Sequence, residues 1–159
     1  EVHVRSPYVM LGYWNDPQAT AAALKPGGWL AMGDVARIED GLLYINARAR
    51  DLLLVSAENV SPTEVEHCLD AHPKVLEACA IGVPHATRGE SIKAFVVLKP
   101  GETATEDEII GFCKNKLAPY KLPTEVEFRD DLPKSTVGKI LRKELRAEEL
   151  EQRKKEKAS

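Results

Sequence analysis

The chain has 159 residues, a net charge of −3, 43% hydrophobic and 30% charged residues. This is an ordinary globular composition, with room for one modest core or for a small domain plus part of another. It gives no electrostatic case for nucleic-acid binding. The longest apolar runs, such as Leu52-Leu53-Leu54-Val55, are strand-sized and far short of a membrane span.

In chain order, residues 1–5 alternate and predict a strand that begins without a cap or turn. Nothing there resembles a signal peptide. Asp16-Pro17 predicts a capped helix through Thr20 and Ala23, ending before Pro26-Gly27-Gly28. Residues 34–38 and 42–45 flank Asp40-Gly41, a pair suited to a tight hairpin. Residues 46–50 are polar and basic, and 52–55 form an apolar strand. Ser61-Pro62-Thr63-Glu64 reads as a capping box opening a helix that buries Val65, Cys68 and Leu69 and stops at His72-Pro73.

Residues 75–83 and 91–98 are the next strands, joined by a loop over 84–89. Thr105-Glu106-Asp107-Glu108 is a second capping box, opening a helix with Ile109, Ile110, Cys113 and Leu117 on one face. Pro119 and Pro123 bracket an irregular stretch before a short strand at 126–128. Leu132-Pro133 opens a loop that ends at Gly138-Lys139, and a charged helix follows from Ile140. Its last residues, 147–159, read as a solvated, fraying tail.

Cys68, Cys79 and Cys113 have no C-x-x-C spacing, and the four histidines have no metal-ligand spacing. The cysteines read as reduced, buried side chains, which favours a cytoplasmic chain or an organelle matrix that keeps thiols reduced. No metal site is expected. The order of elements predicts a small α+β domain from about Asp51 onward. A β-rich piece precedes it.

The stretch 132–142, taken alone, is a polar surface turn. It is not a phosphate-binding Walker loop, because the second glycine and the Lys-Ser/Thr pair are missing. In company it carries more. Gly12-Tyr13-Trp14-Asn15 with Thr20, Gly28-Trp29 through Gly33-Asp34, Arg48-Ala49-Arg50-Asp51, Glu58 through Glu66, Ala118 through Pro123, and finally Gly138-Lys139 occur in one order. Together they resemble the motifs of the adenylate-forming superfamily, and most closely its acyl-CoA synthetases of fatty or aryl acids.

The resemblance implies an acid–thiol ligase that uses ATP, releasing AMP and pyrophosphate, and then coenzyme A, with Mg2+ held mainly outside this chain. It implies that 1–49 belong to a large AMP-binding domain, 50–51 to a hinge at Arg50, and 52–146 to a small mobile C-terminal domain with a mixed sheet and packed helices. It makes Lys139 the charge-stabilising catalytic lysine. Asp34 and Arg48 would serve the nucleotide, and Ser56, Ala57 and Glu58 the coenzyme A channel.

The chain departs from the family at four places. Ala47 stands where Gly precedes the Arg, Met32 where Thr precedes Gly-Asp, and Ser56-Ala57 where two glycines are usual. Alanine enters positive φ only at a cost, so the coenzyme A channel is the feature these changes put in question. Met32 also removes a hydroxyl, so weaker AMP binding is expected. The Ser/Thr/Gly-rich phosphate loop and the acid pocket are not in this sequence. The isolated chain is therefore expected not to turn over, its missing large domain being required in cis. Two other readings share these motifs: a regulatory AMP-binding module without catalysis, and an adenylation domain that loads a carrier protein.

Overall fold

The computed structural model describes residues 1–158, with side chains described through residue 156. Ser159, the end of the expected tail, lies outside the described residues. The chain divides into two compact units, Glu1–Asp51 and Leu52–Ser159.

In the first unit, β1 (His3–Val4) and β2 (Leu24–Lys25) both pair antiparallel with β3 (Trp29–Ala31). Helix α1 (Pro17–Ala23) starts where the sequence places it. The Asp16 carboxylate accepts from Ala19 N at 2.8 Å, and Pro17 fills a position whose N–H would be orphaned anyway. β4 (Asp34–Glu39) and β5 (Leu42–Arg48) form the expected hairpin, and Asp40 and Gly41 both take positive φ, 50° and 78°. β5 runs on through Asn46 to Arg48, because its polar residues face solvent while the backbone ladder continues. Ala49–Asp51 close the unit as a 3-10 turn.

The second unit is built on one mixed sheet. β6 (Leu53–Val55) and β7 (Glu58–Val60) form a hairpin, and β8 (Val75–His85) pairs antiparallel along β9 (Gly89–Leu98). β10 (Glu125–Phe128) joins β9 in parallel. Two faces are covered. Val65, Cys68 and Leu69 of α2 (Pro62–Asp70) and Ile109 and Cys113 of α3 (Glu106–Lys114) pack on Ala78, Ala80, Ile92, Ala94 and Val96. Leu132 and Ile140 of the preceding loop and Leu145 of α4 (Arg142–Ala158) pack on Cys79, Ile81, Val83, Phe95 and Val97. Strands covered on both sides read as continuous apolar runs, which is why 75–83 and 91–98 are legible without alternation.

Three details differ from the sequence reading, while the α3 capping box forms as expected. The 84–89 loop contracts to residues 86–88, because β8 is an edge strand and accepts Pro84, which needs no N–H there. The α3 capping box closes in full: Thr105 Oγ1 accepts from Glu108 N, and the Glu108 carboxylate is bonded by the Thr105 backbone. The α2 box does not. Ser61 occupies the cap place without a side-chain cap bond, and Lys121 takes the Glu64 carboxylate at 2.6 Å. Finally, α4 starts at Arg142 and stays helical to Ala158. Its tail is not simply solvated, because Glu149 is buried and Arg153 bonds both Glu149 and Glu125.

Candidate functional site

The β4–β5 pairing sets the first cluster. Asp34 opens β4 and Arg48 ends β5, so the two stand directly opposite, with Arg48 Nε 2.9 Å from Asp34 Oδ1. The Asp34 side chain is 14% exposed, and Arg48 is more open. Arg48 also donates to the Met32 carbonyl at 3.4 Å. Gly33, at φ 72°, turns the chain into β4. Met32, Gly33, Arg48 and Arg50 help line a concave surface of about 450 Å³ in this unit. Arg50 lies in the 3-10 turn, largely exposed, with Asp51 3.8 Å away.

The second unit carries the remaining candidates on two hairpins. In the first, Val55 faces Glu58 and the turn consists of Ser56 and Ala57, at φ 53° and 66°. Both side-chain-bearing residues hold a left-handed backbone, so the turn keeps the geometry two glycines would give, at a cost of roughly 1–2 kcal/mol per residue. Both residues take the positive φ that the sequence reading counts as costly for a residue with a side chain. What changes is that two Cβ atoms now stand at its tip. Ser56 N donates to the Arg88 carbonyl at 2.8 Å, which ties the turn to the start of β9.

The second hairpin presents Lys139. Ser135 N donates to the Lys139 carbonyl and Gly138 N to the Ser135 carbonyl, each at 2.8 Å, and Ser135 Oγ accepts from Lys139 N at 3.1 Å. Gly138 has φ 77°. This is a three-residue turn with glycine at its left-handed position, and the reason for Gly138 is that backbone geometry. Leu132 anchors one end in the core, and Lys134 bonds Glu77 and Asp131 at 2.7 Å each. Lys139 is exposed, and among the described residues its ammonium has no hydrogen bond or ion pair. A hydrogen-bonded turn thus holds out an exposed cation.

Behind these hairpins lie charged groups that the sequence reading missed. Lys93 Nζ sits 2.6 Å from Glu149 and 2.8 Å from Glu127. Burial opposes the Lys93 charge, but those two carboxylates outweigh it and hold its pKa above the usual value. Burial likewise opposes the charges of Glu127 and Glu149, and their cationic partners hold both pKa values low. The one available signal was a lysine at position 93 inside an otherwise apolar run. The thiols are quiet by contrast. Burial first, and then the nearby Glu66 charge, push Cys79 up to about 12. Among the described residues no three His, Cys, Asp or Glu side chains are grouped to hold a metal ion. Among the described residues no helix is long and apolar enough to cross a membrane.

Residues 64–139, which lie within the unit from Leu52 onward, match the family described as the AMP-binding enzyme C-terminal domain. Its α+β fold is that of the small C-terminal domain of adenylate-forming enzymes. The chain is 53% identical over 151 residues to a long-chain-fatty-acid–CoA ligase of Yersinia pestis, covering 94% of this chain and 26% of the relative. A ligase with the same name from Bacillus subtilis is 47% identical over 152 residues, covering 95% and 27%. Among solved structures, ATP-bound MatB from Rhodopseudomonas palustris superimposes with a TM-score of 0.85 at 38% identity, covering 91% of this chain and 29% of that one. The chain spans about a quarter of the length of the curated relatives it matches.

Proposed function

We propose that this chain is the C-terminal part of an acid–thiol ligase that activates a fatty or aryl acid with ATP and passes the acyl group to coenzyme A. The observation that carries this reading is Lys139: a cation without a partner among the described residues, held out by a tight, hydrogen-bonded hairpin. In the first half-reaction a carboxylate oxygen attacks the α-phosphorus of ATP and pyrophosphate leaves. The Lys139 ammonium, compact and on a flexible stem, would sit against the charge building on the carboxylate and α-phosphate oxygens. Asp34 would accept from the ribose hydroxyls, and Arg48, now spent on Asp34, would shift part of its bonding to the nucleotide.

In the second half-reaction the coenzyme A sulfur attacks the acyl carbonyl, AMP leaves, and the thiol proton passes to solvent. The Ser56-Ala57-Glu58 turn would border the pantetheine path. Arg50 would be the hinge between the unit ending at Asp51 and the C-terminal domain of 52–146. Among the described residues no cluster suits Mg2+, which would be held with the triphosphate by the rest of the protein. The rest of the protein would also supply the acid pocket, so this chain alone would not turn over.

The test is Lys139→Ala in the intact ligase. Pyrophosphate exchange is expected to fall by about 2–4 kcal/mol in barrier, the range for losing one preorganised charge-stabilising group. Thioester formation from preformed acyl-adenylate is expected to stay unchanged, and equal losses in both would refute the role. AMP binding without pyrophosphate exchange would instead identify a regulatory module, and acyl transfer to a carrier protein but not to coenzyme A would identify a loading domain.

A further inference from the structure

Two carboxylates of the second unit share one uncommon arrangement. Glu66 of α2 accepts from the Ala80 backbone N–H of β8 at 2.9 Å and from Arg142 Nη2 through both oxygens at 2.8 Å. Glu90 of β9 accepts from the Leu54 backbone N–H of β6 at 2.9 Å and from Arg146 Nη2 at 2.6 Å. Each carboxylate joins a strand amide to an arginine of α4. The two arginines are one helical turn apart and so share a face. Space is kept for the second pair: a Cβ on Gly82 would stand 2.8 Å from the Glu90 carboxyl.

The ends of these links differ. Arg142 follows Lys139 by three residues, and Leu141 N donates to the Pro133 carbonyl at 2.8 Å, so the Glu66–Arg142 pair fixes the base of the Lys139 hairpin. Leu54 precedes Ser56 by two residues, so the Glu90–Arg146 pair fixes the base of the Ser56-Ala57 hairpin. We propose that α4 carries two separate positioning clamps. Glu66–Arg142 orients Lys139 for adenylation, and Glu90–Arg146 orients the Ser56-Ala57 turn for thioester formation. Neither pair touches substrate, and each acts through the hairpin it holds. The inference rests on the ligase reading above.

The experiment measures both half-reactions in the intact ligase carrying Glu66→Ala, Glu66→Gln, Glu90→Ala or Gly82→Ala. Lys139→Ala serves as the control. Gly82→Ala displaces the Glu90 carboxylate without removing it. The Glu66 variants are expected to slow pyrophosphate exchange at least roughly tenfold, the change given by about 1.4 kcal/mol in a barrier. Thioester formation from preformed acyl-adenylate should stay within about twofold. Glu90→Ala and Gly82→Ala are expected to give the opposite pattern.

A purely structural role would lower both half-reactions together, or lower thermal stability and neither rate, and either result would overturn the proposal. If Glu66→Ala fails to fold, Glu66→Gln decides, since it keeps an acceptor for Ala80. If Glu90→Ala fails to fold, Gly82→Ala decides. If Lys139→Ala leaves pyrophosphate exchange intact, the ligase reading of Lys139 itself has failed. A normal Lys139 defect with no separation between the Glu66 and Glu90 variants rejects the clamps alone.

Discussion

Glu149→Gln tests whether the charges under α4 hold that helix down. Glu149 is 3% exposed and takes both Lys93 at 2.6 Å and Arg153 at 2.6 Å. At an effective dielectric near 20, a pair at that distance attracts by about 6 kcal/mol before desolvation is subtracted. Breaking a fully buried pair costs about 3–5 kcal/mol, because the remaining charge is left uncompensated. Here both cations keep a second partner. Lys93 retains Glu127 at 2.8 Å, and Arg153 retains Glu125. The expected loss is therefore reduced, to about 2 kcal/mol.

Native-state hydrogen exchange of the α4 and β9 amides is the assay, since it reads the opening free energy of this unit without assuming that both units unfold together. Protection should fall there. Combining Glu149→Gln with Lys93→Met should give less than the sum of the single effects. Strict additivity, or a loss below about 0.5 kcal/mol, would refute the reasoning.

The pH dependence has a definite sign. The folded pKa values of Glu127 and Glu149 are lowered, so their contribution is present above the unfolded carboxylate range and is lost as pH falls through the folded values. The folded pKa of Lys93 is raised, so its contribution is complete below its unfolded value and is lost only as pH rises through the folded one. Protection of α4 should be flat across neutral pH and fall at both extremes.

Three further outcomes are expected. Ala57→Gly removes the strain of a side chain at φ 66° and should stabilise the second unit by about 1 kcal/mol, read as a higher urea midpoint, while Gly138→Ala should destabilise it comparably. Cys79, with its thiol pushed up to about 12, should resist alkylation at pH 8 in the folded chain and react only as fast as that unit opens. On the proposed reading, Arg50→Pro in the full-length protein should spare pyrophosphate exchange and stop thioester formation; survival of both half-reactions would place the hinge elsewhere.

Much of this protein was legible from local rules. Asp16-Pro17, Thr105-x-x-Glu108 and Asp40-Gly41 each specify an element by contacts within a few residues, and each forms as read. The two central strands were legible because burial on both faces demands unbroken apolar runs. Lys139, Asp34 and Arg48 stood out by motif order alone. The positive φ at Ser56-Ala57 was not legible, because the β6–β7 ladder and the Ser56–Arg88 bond that hold it are not local signals.

What only the tertiary structure decided joins residues far apart in the chain. Glu66 meets Arg142, Glu90 meets Arg146, and Lys93 meets Glu149, across separations of 76, 56 and 56 residues. No periodicity or cap pattern records such partners, since a charged residue looks the same in sequence whether solvent or an opposite charge receives it. The sequence by itself determined the kind of lysine at 139 and the glycine that turns the chain before it. The packing of α4 across the sheet determined where that lysine is held, because the ion pairs at its base exist only once strand, helix and hairpin have come together.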